Sequence, residues 1–355
     1  MGKPFVSVLI DTYNHERFIE KAIVSVLESD FPASDREILV VDDGSNDRTP
    51  EIVRKFEPKV RLLRKGNGGQ ASAFNAGIPE CRGEIIAFLD GDDWWTPSKL
   101  SRIAETMRAD PSIGMVGHAV VESFNDGRKK TVALEKSERL RLNTQGDAQA
   151  FRLRRAYLGT SRLTLRAELA RKILPVPEEL IFEADEYLFT IAGILSEFVI
   201  LKDALTHYRI HGSNFFVAAN RESHGLRRKQ RVLAALFDLL GRELRARGAP
   251  DEVTGCVLEI VGAEAAQLKL MLDGGKPWEA YRTERTIYRI QHADAAWKQK
   301  VFRHVTTVPA LLLPPRWFYA GRNWLAGQAW YRNARAQFLP VPGFTKIETP
   351  KRIHE

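Results

Sequence analysis

Three carboxylates, Asp90, Asp92 and Asp93, close the apolar run Ile85-Ile86-Ala87-Phe88-Leu89, with only Gly91 between the first two. A short apolar run bounded by turn signals reads as a core strand. Acids at the carboxyl end of such a strand stand where open α/β sheets take their ligands. Carboxylates this close repel one another unless a cation or hydrogen-bond donors neutralise them. Mg²⁺ and Mn²⁺ prefer oxygen ligands and share their shell with substrate phosphates. The segment therefore reads as a strand edge that holds a divalent cation on a phosphorylated ligand. The competing reading is an acidic turn capping the next helix.

A second run, Glu37 to Val41, ends in the same manner in Asp42-Asp43-Gly44-Ser45, a turn-forming context that lets Asp43 project from a sheet edge or serve as an Asx-turn. The glycine-rich stretch Gly66-Asn67-Gly68-Gly69 lacks the side chains that would keep a nucleotide away, and Gln70 follows it as a candidate polar contact. Further on, Glu183, Asp185 and Glu186 offer a proton acceptor, or simply an acidic helix start favoured by the helix dipole. His211 and Arg209 lie in His207-Tyr208-Arg209-Ile210-His211-Gly212-Ser213-Asn214; an isolated loop histidine is more often structural than a ligand. Trp94 and Trp95 offer stacking faces to a sugar ring or packing to the core.

The elements that must position these groups alternate. Phe5 to Ile10, Glu37 to Val41, Val60 to Leu63 and the run ending at Asp90 read as strands, separated by helices over 15–29, 50–56 and 70–79. Such alternation implies parallel pairing with right-handed crossovers. Beyond residue 112 the pattern loosens. Met115 to Val121, Ser161 to Leu165 and Phe198 to Leu201 read as strands, and Ser123 to Gly146 as a long mobile loop over the site. After Gly225 the spacing of Leu233, Leu236, Phe237, Leu240 and Leu244 predicts helices, which Pro309, Pro314 and Pro315 interrupt.

With 355 residues, 44% hydrophobic and 28% charged, the chain can bury a core in one large or two ordinary domains. Two distant cysteines, Cys81 and Cys256, argue for a reducing compartment and no disulfide framework. No signal peptide or bilayer-length apolar run is expected. Residues 225–355 hold 22 Lys+Arg against 12 Asp+Glu, while the remainder holds 31 against 33, so the whole formal +8 comes from the last third. Five of the seven tryptophans lie there too. This composition suits an anionic membrane surface, or equally a solvated helical region with snorkelling arginines.

Four segments in one order resemble the family 2 glycosyltransferases. They are Ser7 to Asn14, Val40 to Ser45, Asn67 to Gln70 with Asn75-Ala76-Gly77, and Gly83 to Asp93. The resemblance implies an α/β GT-A fold, a Rossmann-like nucleotide-diphospho-sugar transferase domain over 1–220, with a donor-binding part to about 110 and an acceptor-binding part over 111–220. A basic, mainly helical region over 225–355 would follow. It further implies nucleotide contacts from Asp11, Tyr13, Asp43, Gln70 and Asp90, a Mg²⁺ or Mn²⁺ ion on Asp92 with His211, and Asp185 as the general base. Asp11 stands where many members carry Pro or Thr, and Ala184 stands where the Glu-Asp-x-x-Leu pattern has glutamate.

The expected reaction moves a sugar from a nucleotide-sugar donor, with uracil the first choice of base, to a saccharide or lipid-linked acceptor, with inversion. The expected setting is the cytoplasm or the inner face of its membrane, with no nucleic-acid partner. Two other classes compete. A sugar nucleotidyltransferase needs a basic glycine-rich loop after the first strand, where this chain has Asp11-Thr12-Tyr13-Asn14. An inactive nucleotide-sugar-binding module would release no sugar.

Overall fold

The computed structural model describes residues 3–211, 223–291 and 297–328 and the backbone of 344–348. The β-branched runs form four parallel strands, β1 (Val6–Thr12), β2 (Arg36–Asp42), β3 (Arg61–Arg64) and β4 (Ile85–Asp90), in the spatial order 3-2-1-4. Successive side chains of a strand point to opposite faces. Val6, Val8 and Ile10 of β1 and Ile85, Ala87 and Leu89 of β4 thus feed one core with helices α1 (Ile19–Leu27) and α4 (Lys99–Ala109). Leu9, Ile86 and Phe88 feed the other with α3 (Gln70–Glu80). A short α2 (Thr49–Arg54) crosses between β2 and β3. Both faces being covered explains why β1, β2 and β4 read as continuous apolar runs.

The second half departs from the sequence reading in three places. The segment 123–146 is not a loop: it contains β7 (Lys129–Ala133) and β8 (Glu138–Leu140), after β5 (Trp94–Trp95) and β6 (Ile113–Phe124). Their alternation is weak because both lie near the surface of the sheet, so few of their residues need be apolar. The Ser161–Leu165 strand is a 3₁₀ turn, Thr160–Arg162, followed by β9 (Thr164–Arg166), which joins β4 to β6 antiparallel. The Phe198–Leu201 strand extends to β10 (Glu197–Ile210), pairing β6 in parallel and β5 and β8 antiparallel. Its polar second half hid it from periodicity. Helices α5 (Gln145–Arg154), α6 (Ala167–Ile173) and α7 (Ala184–Leu195) complete this half.

The last third is helical, as its spacing predicts: α8 (Ser223–Ala246), α9 (Asp251–Asp273), α10 (Pro277–Gln291), α11 (Trp297–Thr307) and α12 (Pro315–Gly327). Leu233, Leu236, Leu240 and Leu244 are buried in the same apolar core as Leu9 and Phe88, whereas Phe237 is exposed. Pro315 starts α12, a position where its missing N–H costs nothing. The strand Phe344–Glu348, β11, pairs β7 antiparallel. Among the described residues no helix is long and apolar enough to cross a membrane. Cys81 and Cys256 are buried free thiols.

Candidate active site

Parallel register brings the acids together. Asp11 at the end of β1 lies opposite Asp90 on β4, and Thr12 lies opposite Asp42 on β2. Above these strand ends opens a cleft of about 570 Å³, lined by Asp11, Tyr13, Asp43, Gln70, Asp90, Asp92, Asp185 and His211 among others. Every residue that the resemblance assigned to nucleotide, metal or general base therefore borders one cavity, although not all of them present free groups to it.

Asp92 and His211 meet directly: His211 Nε2 lies 3.0 Å from Asp92 Oδ2, and the imidazole packs on Phe18 with ring centroids 4.6 Å apart. Burial opposes ionisation of Asp92, yet the His211 hydrogen bond and the nearby His15 and His211 charges hold its carboxyl below the usual range. Asp11 and Asp90 go the other way. Burial, then the neighbouring carboxylates, push both well above it. Asp11 Oδ1 is buried without a hydrogen-bond partner. An acid cluster with an orphaned oxygen is what a cation would complete. Among the described residues no three His, Cys, Asp or Glu side chains form an enclosing metal cage. Asp92 and His211 are the two side chains at this corner that could act as ligands to a divalent cation.

Asp93 does not face the cleft. Its Oδ1 accepts the Arg209 N–H at 2.8 Å, and burial with the adjacent Asp92 charge pushes its carboxyl up to about 7. Arg209 also turns back: its Nε donates to the Asp92 carbonyl at 2.8 Å, and its guanidinium covers the Phe18 and Trp94 rings. These bonds tie β10 to the acidic turn, which sets the position of His211 just beyond. Residues Gly212, Ser213 and Asn214 of the same motif lie outside the described residues. Trp94 offers no stacking face to a sugar, since His207 stacks on it at 4.8 Å and Lys21 Nζ sits 3.5 Å from its ring centroid. Trp95 is buried in the core.

Asp43 organises the glycine loop. Its carboxylate accepts from Gly69 N–H at 2.7 Å, Gly68 N–H at 3.0 Å, Lys65 Nζ at 2.6 Å and Asn67 Nδ2 at 3.2 Å. Gly69 adopts φ +83°, and a Cβ there would stand 2.6 Å from the Ile181 Cα, so the position admits only glycine. The Gln70 amide is likewise engaged, donating to Thr160 Oγ1 at 2.9 Å and accepting the Ala184 N–H at 3.0 Å. It fastens the start of α7 to the start of α3.

The three rival acids separate. Asp185 lines the cleft, where Thr160 N–H (2.8 Å) and Oγ1 (3.0 Å) both donate to its Oδ2. Glu183 also lines it, at left-handed φ 62°, with its carboxyl pushed well up by burial and by Glu186 and Asp185. Glu186 points away into a buried ion pair with Arg155 at 2.5 Å.

Several residues of the site carried no motif. Arg162 and Arg228 line the cleft and bring positive charge to an otherwise acidic cavity. Ser161 is a junction: its Oγ donates to Asp90 Oδ2 at 3.2 Å, and its carbonyl accepts from Trp95 Nε1, Thr206 Oγ1 and the buried Lys99 Nζ at 3.0, 2.7 and 2.7 Å. Burial drives the Lys99 ammonium well below its normal range. Lys99 begins a helix with ordinary amphipathic spacing, so nothing local distinguishes it from a solvent-facing lysine.

Comparison with known proteins accords with this geometry. Residues 7–171 match the profile of glycosyl transferase family 2. The chain is 33% identical over 221 residues to an uncharacterized glycosyltransferase of Nostoc sp., covering 60% of this chain and 67% of that one. In fold it is similar to a mannosyltransferase of Pyrobaculum calidifontis in complex with GDP-Man and Mn²⁺ (TM-score 0.54, 20% identity, 95% of this chain and 85% of that one). It is also similar to residues 1–349 of S. aureus TarS in complex with UDP-GlcNAc (TM-score 0.50, 19% identity, 81% and 90%). Strand-edge acids on a GT-A sheet, the family profile and the Nostoc relative converge: the chain belongs to the family 2 glycosyltransferases.

Proposed function

We propose that this transferase moves a sugar from a nucleoside-diphosphate donor, a UDP-sugar first, to a hydroxyl of a saccharide or lipid-linked acceptor, with inversion at the anomeric carbon. The observation that carries the reading is the meeting of the Asp92–His211 pair and Asp185 in one cleft. Donor complexes of the two similarly folded transferases, one with Mn²⁺, support it.

In this reading residues 1–110 hold the donor and 111–220 the acceptor. The base lies against Asp11, Tyr13 and the loop that Asp43 braces, and Asp90 faces the ribose. Asp92 and His211 would hold Mg²⁺ or Mn²⁺, which when bound supplies Lewis-acid stabilisation of the departing diphosphate. Arg162 and Arg228 add positive charge on that side. Asp185, oriented by Thr160, takes the proton of the acceptor hydroxyl as its oxygen attacks. Glu183 borders the same cleft and is the rival for that role. Glu186 is withdrawn into its ion pair.

Titration calorimetry with UDP and with GDP, each with and without Mn²⁺, tests the reading. Wild type should bind one nucleotide more tightly with Mn²⁺, and Asp92→Ala should lose that increment while keeping its thermal stability. An unchanged Mn²⁺ increment in the variant removes Asp92 from the metal site.

A further inference from the structure

A second cavity, about 680 Å³, lies between α10 and α11, away from the acidic turn in sequence and opposite to it in charge. Arg282, Arg285 and Arg289 reach it from α10 at helical spacing, and Lys300, Arg303 and His304 from α11. No acidic side chain lines it among the described residues. Arg289 is offset by an ion pair to Glu259, whereas Arg282, Arg285 and Lys300 are exposed cations. Trp278, Tyr281 and Tyr288 complete the lining, so the cavity joins cationic heads to aromatic walls.

Its surroundings narrow the ligand. Most of the exposed large hydrophobic side chains of the described residues belong to this part of the chain. Leu312 is 79% exposed, Trp317 73% and Trp297 70%. Single exposed apolar residues are ordinary, but a concentration of them in the stretch of chain that also forms a cationic cavity marks an interaction surface. Trp and Leu enter the headgroup layer while Arg and Lys meet lipid phosphates.

We propose that the α10–α11 cavity is a docking site for the phosphate headgroups of an anionic membrane, with Trp297, Leu312 and Trp317 seated in the headgroup layer around it. The site does not depend on the transfer reaction and is measured without donor or Mn²⁺.

The test is co-sedimentation of the full chain with phosphatidylcholine vesicles, with and without phosphatidylglycerol. The bound fraction should rise with the anionic lipid and fall with added salt. A basic residue near such a surface is worth about fivefold in partition. Arg282→Gln with Arg285→Gln and Lys300→Gln should therefore weaken partition by on the order of a hundredfold. Lys269→Gln, on α9 and outside the cavity lining, serves as the control and should stay near wild type. Circular dichroism of each variant should match wild type. Equal partition to neutral and anionic vesicles, or an undiminished triple variant, overturns the proposal. So does binding of inorganic phosphate without vesicle binding, which would make the cavity a soluble-anion site. Self-association through the apolar patch, seen by sedimentation velocity with no vesicle binding, overturns it as well.

Discussion

In the strand-edge cleft, Asp11, Asp90 and Asp92 are packed so closely that burial and mutual repulsion raise two of them and a histidine steadies the third. In the α10–α11 cavity, Arg282, Arg285 and Lys300 remain at the surface, where water screens them. The two arrangements answer different demands. Buried like charges are costly alone, so they favour one counter-ion held at fixed positions. Exposed like charges cost little and carry no fixed geometry, which suits an extended anionic partner rather than a single ligand. The regions are also joined differently from what their charges suggest. Arg155, between α5 and the cleft, pairs with Glu186 of α7 at 2.5 Å and reaches Glu264 of α9 at 3.4 Å. The acidic half and the basic half therefore share both an apolar core and a partly buried ion triad.

The largest effect expected from breaking the acidic side is on rate. Asp185→Asn should lower transfer by about 10²–10⁴-fold, the usual contribution of a positioned base. Donor affinity should stay near wild type, because the contact is with the acceptor proton. Single-turnover transfer and donor titration measured together check this. If Glu183→Gln shows the loss and Asp185→Asn does not, the base is Glu183 and the Thr160 bonds serve only to fix α7.

Next in size is the link between the regions. Arg155→Met leaves Glu186 buried beside Glu183 without its cation, which should cost about 3–5 kcal/mol in urea unfolding. Arg285→Ala, in the exposed cavity, should fall within about 0.5 kcal/mol of wild type. Equal effects of the two substitutions would erase the distinction drawn between the regions. Removing both charges with Arg155→Met and Glu186→Gln should recover part of the loss.

How much of this was legible in the sequence follows from how local each signal is. β1, β2 and β4 and the acids at their ends were readable because both faces of those strands are buried and each run stops in a turn residue. The second half was poorly legible. β7 and the polar end of β10 gain their strand character from pairing partners far away in sequence, and Ser123 to Gly146 carries no periodicity of its own. The site divides in the same way. Asp92 and His211 announced themselves through motifs, but the engagement of Asp43 and Gln70 depends on Gly68, Thr160 and Ala184 meeting them in space. Arg162, Arg228 and Lys99 had no sequence mark at all, since an arginine lining a cleft or a lysine buried on a carbonyl looks like one facing water.

The smallest effect expected concerns the rear of the acidic turn, where charge is handled in a third manner. His207 stacks on Trp94 and lies near Lys21 and Lys129; burial first, then those two cations, lowers its imidazole to about 4. In the unfolded chain it would titrate at about 6.5. Above that pH both states hold it neutral and it adds no pH dependence. As pH falls from about 6.5 to about 4, the unfolded chain takes up a proton that the folded one refuses, so stability is lost across that window and not above it. His207→Gln removes the titration while leaving the Asp92–His211 pair in place. Loss of the stack should lower the variant's unfolding temperature by a pH-independent amount, and the deficit should shrink on going from about pH 7.5 to about pH 5 as the wild type weakens. Thermal unfolding of both proteins at the two values measures it. A deficit that stays constant would mean that the imidazole charges freely in the folded state, and that Lys21 and Lys129 stand farther from it than the stack implies.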